Sequence, residues 1–205
     1  MGFFTDIEME KAKDIITFGL LESAKSLEVF IKLEIRLDFG DDFSISENLS
    51  NKNITAKSDE VYLLTSELIG EIKGTSYLIL SKEEVKSIMA SVYPNNEFTE
   101  EKYIKKSNAL VLETDNIITA GVMKNLANIF NYRTYGGVPQ LNIVNHNEAV
   151  RIISEGTKKD DYVFFKAILS SKTGNIKADF IWLLDKAFVE AVKKVSKNRK
   201  ISLTS

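Results

Sequence analysis

One strand-to-helix unit is written twice in this chain, and that echo constrains the fold more than any other feature. IKGTSYLILSKEEVKSIMASV (Ile72 to Val92) and IKADFIWLLDKAFVEAVKKV (Ile176 to Val195) share one plan. Each runs Ile-Lys, an apolar strand, a capping residue (Ser81 or Asp185), then a helix with Val85 or Val189 at the fifth position. A weaker echo relates DIITFGLLESAKSL, from Asp14, to ETDNIITAGVMKNL, from Glu113: each opens on an acid, with a polar residue three positions on and a Leu thirteen on. The chain thus reads as two similar halves, about 1–95 and 96–205, each running helix, strands, helix. Neither half could bury the apolar face of its own strands, so the two are expected to share one sheet in a single domain over 1–205.

Composition removes several classes of function. Lys and Arg number 27 against 29 Asp and Glu, scattered among one another, so there is no basic footprint for nucleic acid. With no cysteine the chain has no disulfide, thiol nucleophile or thiolate metal site. The single histidine, His146, excludes schemes that need two imidazoles and reads as a solvated residue near a helix start. The opening MGFFTDIEMEKAKD lacks a positive segment followed by a long apolar one, and no apolar run reaches the roughly 18 residues of a membrane helix. The expectation is a cytoplasmic protein with no membrane partner.

Residues Asp6 to Leu27 carry apolar groups at helical spacing and predict a first amphipathic helix. EVFIKLEIRLDF (Glu28 to Phe39) alternates with period two and predicts a strand, followed by a turn at Gly40 to Asp42 and a polar loop, SENLSNKN. EVYLLTSEL and GTSYLIL predict two further strands. Ser81 and Glu84, three apart, predict a capping box opening a helix that Pro94 ends. A long helix is expected from about Glu100 to Asn131, closing at the YGGVP loop (Tyr135 to Pro139). AVRIISEG reads as a short helix or irregular crossover, YVFFKAILSS and ADFIWLL as strands joined around KTGN, and DKAFVEAVKKV as the last helix. The acid pairs Asp41/Asp42 and Asp160/Asp161 have no further ligand at metal-loop spacing and read as solvated turns; KKVSKNRK reads as a solvated helix end.

On the long helix, Val111, Ile118, Val122, Leu126 and Ile129 form an apolar stripe at 100 degrees per residue, and Ala109, Glu113, Asn116, Ala120 and Ala127 fall opposite. An acid and an amide therefore stand side by side on the wet face among alanines, which leave the helix backbone open to another protein's surface. Only two prolines occur, and Pro139 follows Asn116 after 22 intervening residues. Glu113, Asn116 and Pro139 at this spacing resemble the chemotaxis phosphatases of the CheC, CheX and FliY type, whose motif is Asp or Ser, three residues, Glu, two residues, Asn, about 22 residues, Pro. Ala109 stands where that family has Asp or Ser. CheC carries the motif twice, on two pseudo-symmetric helices; Asp14 and Thr17, with Gly19, Ala24 and Leu27 beyond, match the first copy in spacing and depart from it in residue type, so that first site reads as degenerate.

The resemblance implies an α/β (α+β) CheC-like fold with one mixed β-sheet and two long antiparallel helices carrying the site. It implies an activity as well: hydrolysis of the aspartyl-phosphate of a CheY-like receiver, with Asn116 orienting the attacking water and Glu113 pairing with a receiver lysine. The Mg2+ would belong to the receiver, so this chain is expected to bind no metal or cofactor of its own. The alternative is a noncatalytic adaptor of the same fold, binding a receiver, a CheD-like deamidase or a flagellar switch component. A small-molecule enzyme with Glu113 as base ranks last, for want of a second catalytic group.

Overall fold

Residues 3–39, 59–95, 97–157 and 162–197 are described by the computed structural model of the chain. The turn at Gly40 to Asp42, the loop SENLSNKN, the Asp160/Asp161 pair and the end of KKVSKNRK lie outside them.

Helix α1 (Asp6–Ile31) begins where Thr5 and Glu8 form a reciprocal capping box, satisfying two of the amides that a helix start leaves free. It takes the first turn, Glu28 to Ile31, of the segment whose alternation predicts a strand, and only Ile35–Asp38 forms β1. The stretch offers both periods: Leu27 and Ile31 continue the buried helical face, one turn apart, while Val29 is 82% exposed. Lys32, in the left-handed conformation, ends the helix, and the Glu28 carboxylate accepts from the Ile35 amide at 2.9 Å across the bend.

Strands β2 (Val61–Gly70) and β3 (Gly74–Ser81) form a hairpin, and the predicted Ser81/Glu84 capping box opens α2 (Lys82–Val92). The second half repeats this plan: α3 (Glu100–Phe130), the short strands β4 (Thr134–Gly136) and β5 (Gln140–Val144), α4 (His146–Thr157), the hairpin β6 (Val163–Ser171) and β7 (Lys177–Leu184), then α5 (Lys186–Lys197). The crossover segment is thus a helix. His146, partly buried, is its first residue.

The sheet order is β1-β6-β7-β3-β2-β4, with β5 also on β2. The echoed strands β3 and β7 pair at the centre, and the first strand of each half crosses to the other half's hairpin, β1 onto β6 and β4/β5 onto β2. Every described pairing is antiparallel, where a mixed sheet was expected. Hairpins join β2 to β3 and β6 to β7, and a hairpin makes its two strands antiparallel neighbours.

The main core fills one face, with Leu64, Leu68, Leu78, Phe165, Phe180 and Trp182 packed beneath α1, α3 and α5. A smaller core under α4 holds Ile153 of that helix against Leu63, Ile79 and Ile181, alternate positions of the same strands. Helices α1 and α3 pack antiparallel: Asn125 donates to the Ile15 carbonyl at 2.7 Å and Ser23 to the Ile118 carbonyl at 3.1 Å. They touch at small residues, and a Cβ on Gly121 would lie 2.2 Å from the Ser23 hydroxyl oxygen.

Gly70, at φ 120, closes β2 against the start of β4, and a Cβ there would sit 2.0 Å from the Arg133 carbonyl oxygen. Gly70→Ala adds an L side chain in a conformation that disfavours it and forces the two strands apart. The expected loss is about 3 kcal/mol of unfolding free energy, read by urea titration.

Candidate functional site

The long helix presents the two faces its sequence predicts. Val111, Ile118, Val122 and Leu126 are buried, while Ala109, Glu113, Asn116 and Ala120 are exposed. Asn116 Nδ2 donates to Glu113 Oε2 at 3.3 Å, one helical turn back. That contact engages the amide nitrogen, and the side chain, exposed on the groove, keeps its carbonyl oxygen as a two-lone-pair acceptor for another donor.

Opposite them lies the connection from β4 to β5. Both strands are laid on β2, with Leu68 opposite Gly136 and Thr65 opposite Gln140. Between these two pieces the ladder is interrupted, because Pro139 has no amide to give; the Gly137 amide still reaches the Glu67 carbonyl at 2.7 Å. YGGVP is therefore a strand end followed by a kink, where its sequence reads as a loop throughout. Ala109, Glu113 and Asn116 form one wall of an open groove of about 610 Å³, and Tyr135 through Pro139 form the other. Its rim carries exposed apolar side chains, Val138 at 86% and Tyr135 at 58%.

Four residues singled out in sequence thus meet at one place: Ala109, Glu113, Asn116 and Pro139. Asp14 and Thr17 do not. They lie on α1, exposed and half-buried respectively, away from the lining of that groove. Sequence reasoning passed over Asp115, a carboxyl with no solvent exposure that accepts from the Ser66 hydroxyl at 2.6 Å. Burial drives its pKa up to about 7, with the Ser66 hydrogen bond pulling the other way. A signal was present: Asp115 falls between Val111 and Ile118 on the apolar stripe, where a carboxyl is out of character.

Among the described residues, no three or more His, Asp and Glu side chains are grouped to hold a metal, and no helix is long and apolar enough to cross a membrane. The groove offers a carboxylate and an amide in a lining that is otherwise apolar, with Ile69, Leu112 and Val138 among it. Such a set can hold a cation and orient a water, but has no nucleophile of its own.

No protein-family model matches the sequence, and no curated protein matches it. Solved structures do. FliY of Thermotoga maritima superposes with a TM-score of 0.69 at 15% identity, over 96% of this chain and 99% of that one. The chain has the CheC/CheX/FliY fold. CheX of Desulfovibrio desulfuricans matches at a TM-score of 0.58 and 11% identity, over 84% of this chain and 99% of that one. CheX of Borrelia burgdorferi, solved in complex with CheY, BeF3 and Mg2+, matches at 0.56 and 12%, over 82% of this chain and 96% of that one.

Proposed function

We propose that this chain hydrolyses the aspartyl-phosphate of a CheY-like receiver. The observation that carries the reading is the convergence of Glu113, Asn116 and Pro139 on one open groove, on a fold shared with a CheX that was crystallised bound to CheY. An acyl phosphate is already reactive, so the enzyme's task is to hold a water in line with phosphorus. The Asn116 carbonyl accepts a hydrogen bond from that water. The water oxygen attacks phosphorus as the bond to the aspartyl oxygen breaks, the water's protons leave with the phosphate, and the receiver's carboxylate is freed. A neutral amide suits the position, since a carboxylate there would repel the phosphoryl oxygens.

Glu113 orients the amide by accepting from its nitrogen, and offers its other oxygen to a lysine beside the receiver's phosphorylated aspartate. A Mg2+ held by the receiver would supply charge neutralisation at the phosphoryl group. Pro139 fixes the kink that keeps the opposite wall clear of Asn116, and the Tyr135 and Val138 rims give the receiver an apolar seat.

The test is the lifetime of the phosphoryl group on CheY-type receivers from the same genome, phosphorylated with acetyl phosphate, with and without this protein. A shortening of at least tenfold on one receiver, which Thr17→Ala leaves within about twofold, is expected if a single site acts. No shortening on any receiver, with binding retained, would leave the noncatalytic adaptor in its place.

A further inference from the structure

The groove's two walls belong to different elements, and both are fastened to the same strand. Tyr135 and Gly136 pair with β2 through Ile69 and Leu68, Gln140 pairs with Thr65, and the Gly137 amide bonds to Glu67. The helical wall reaches β2 by a different device. Asp115, the residue before Asn116, points inward to Ser66, which sits on β2 between Thr65 and Glu67. One turn further along α3, Thr119 lies 3.2 Å from the Ser76 hydroxyl on β3, the next strand, and both are buried.

Apolar packing alone tolerates a helix that slides or rotates by a fraction of an ångström, because it has no direction. A hydrogen bond between two buried side chains does not, and an unmet carboxyl in an apolar stripe is costly enough that the contact is held. Asp115 is fully buried, and among the described residues its Oδ1 has no partner, so Ser66 is the polar contact that holds it. We propose that Asp115, through Ser66, is a positioning residue that sets the height and rotation of Asn116 against the Tyr135–Pro139 wall. This rests on the phosphatase reading for its activity readout only.

The experiment compares wild type, Asp115→Asn and the double variant Asp115→Leu/Ser66→Ala for receiver dephosphorylation and thermal unfolding. The double variant replaces the polar pair with an apolar one, so a merely structural role predicts unchanged activity once the fold is intact. Positioning predicts a folded double variant whose kcat falls about tenfold with KM within about twofold, and recovery to within about threefold in Asp115→Asn, whose amide carbonyl still accepts from Ser66. A double variant with wild-type kcat overturns the proposal.

A second readout needs no activity. The chain has no cysteine, so nitroxides attached through Lys124→Cys, on α3 outside the groove, and Val138→Cys on the opposite wall report how α3 sits against that wall. Positioning predicts a narrow distance distribution that shifts or broadens in the double variant and is restored in Asp115→Asn. Identical distributions overturn it, whether or not any receiver is dephosphorylated. Should the double variant not fold, Ser66→Ala alone carries the same comparison.

Discussion

Asn116→Ala is expected to lower kcat for dephosphorylation of the cognate receiver by about 100-fold, with KM changed by less than about threefold. The asymmetry follows from where the side chain acts. Asn116 is exposed on the groove, and its side chain's hydrogen bond among the described residues is the 3.3 Å one to Glu113, so its removal leaves the fold and most of the docking surface intact. What is lost is the acceptor that holds the water in line, an interaction made at the reacting centre. Glu113→Ala should divide its cost differently. It removes the ion pair with the receiver and the contact that turns the Asn116 amide, so KM should rise about tenfold and kcat fall by a smaller factor. Asn116→Asp tests the electrostatic side: the shape is kept, but a carboxylate faces the phosphoryl oxygens, and activity should fall at least as far as in the alanine variant. If Asn116→Ala keeps kcat within twofold of wild type, Asn116 does not position the water and the catalytic assignment fails.

Glu113 and Asn116 could be placed on one exposed face from sequence because they lie on a long helix, where spacing alone decides which face a residue takes. Pro139 was legible for a different reason, as one of two prolines at a set distance, although spacing could not say that it faces Asn116. That depends on β4 and β5 both pairing with β2, and TYG and QLNIV are too short and too polar to read as strands beforehand. The echoed units around Ser81 and Asp185 were visible and led to the expectation of one shared sheet, while the pairing of β3 with β7 at its centre came from the structure alone. The exchange of first strands between halves was not, since nothing local to Ile35–Asp38 names β6 as its partner. The same stretch shows how a short apolar run deceives. Val29, Ile31, Leu33, Ile35 and Leu37 keep a period of two, yet Ile31 also completes the helical face of Leu27, and packing of α1 on α3 wins.

A pH dependence of stability that disappears in Asp115→Asn is the other large effect expected. Desolvation raises the Asp115 carboxyl to about 7, with the Ser66 hydrogen bond opposing it, whereas in the unfolded chain the group titrates near its ordinary value of 3.8. The native state therefore holds a proton that the unfolded state has lost over the window between those values. The sign follows from linkage: the folded pKa lies above the unfolded one, so the stability is fully present below about pH 4 and is lost as pH rises through 7. Each pH unit within the window costs about 1.4 kcal/mol. In Asn the group cannot ionise, so the unfolding free energy of wild type minus that of Asp115→Asn should fall by roughly 3 kcal/mol between about pH 4.5 and pH 8, then level off. Urea titrations of both proteins across that range measure the difference directly, and other titrating groups cancel between them. A difference that stays flat within about 0.5 kcal/mol would mean that the carboxyl ionises freely in the fold. A buried, neutral Asp115 would then be ruled out, whereas the predicted slope would make the side chain that ties α3 to β2 a group whose charge changes near neutral pH, one residue from Asn116.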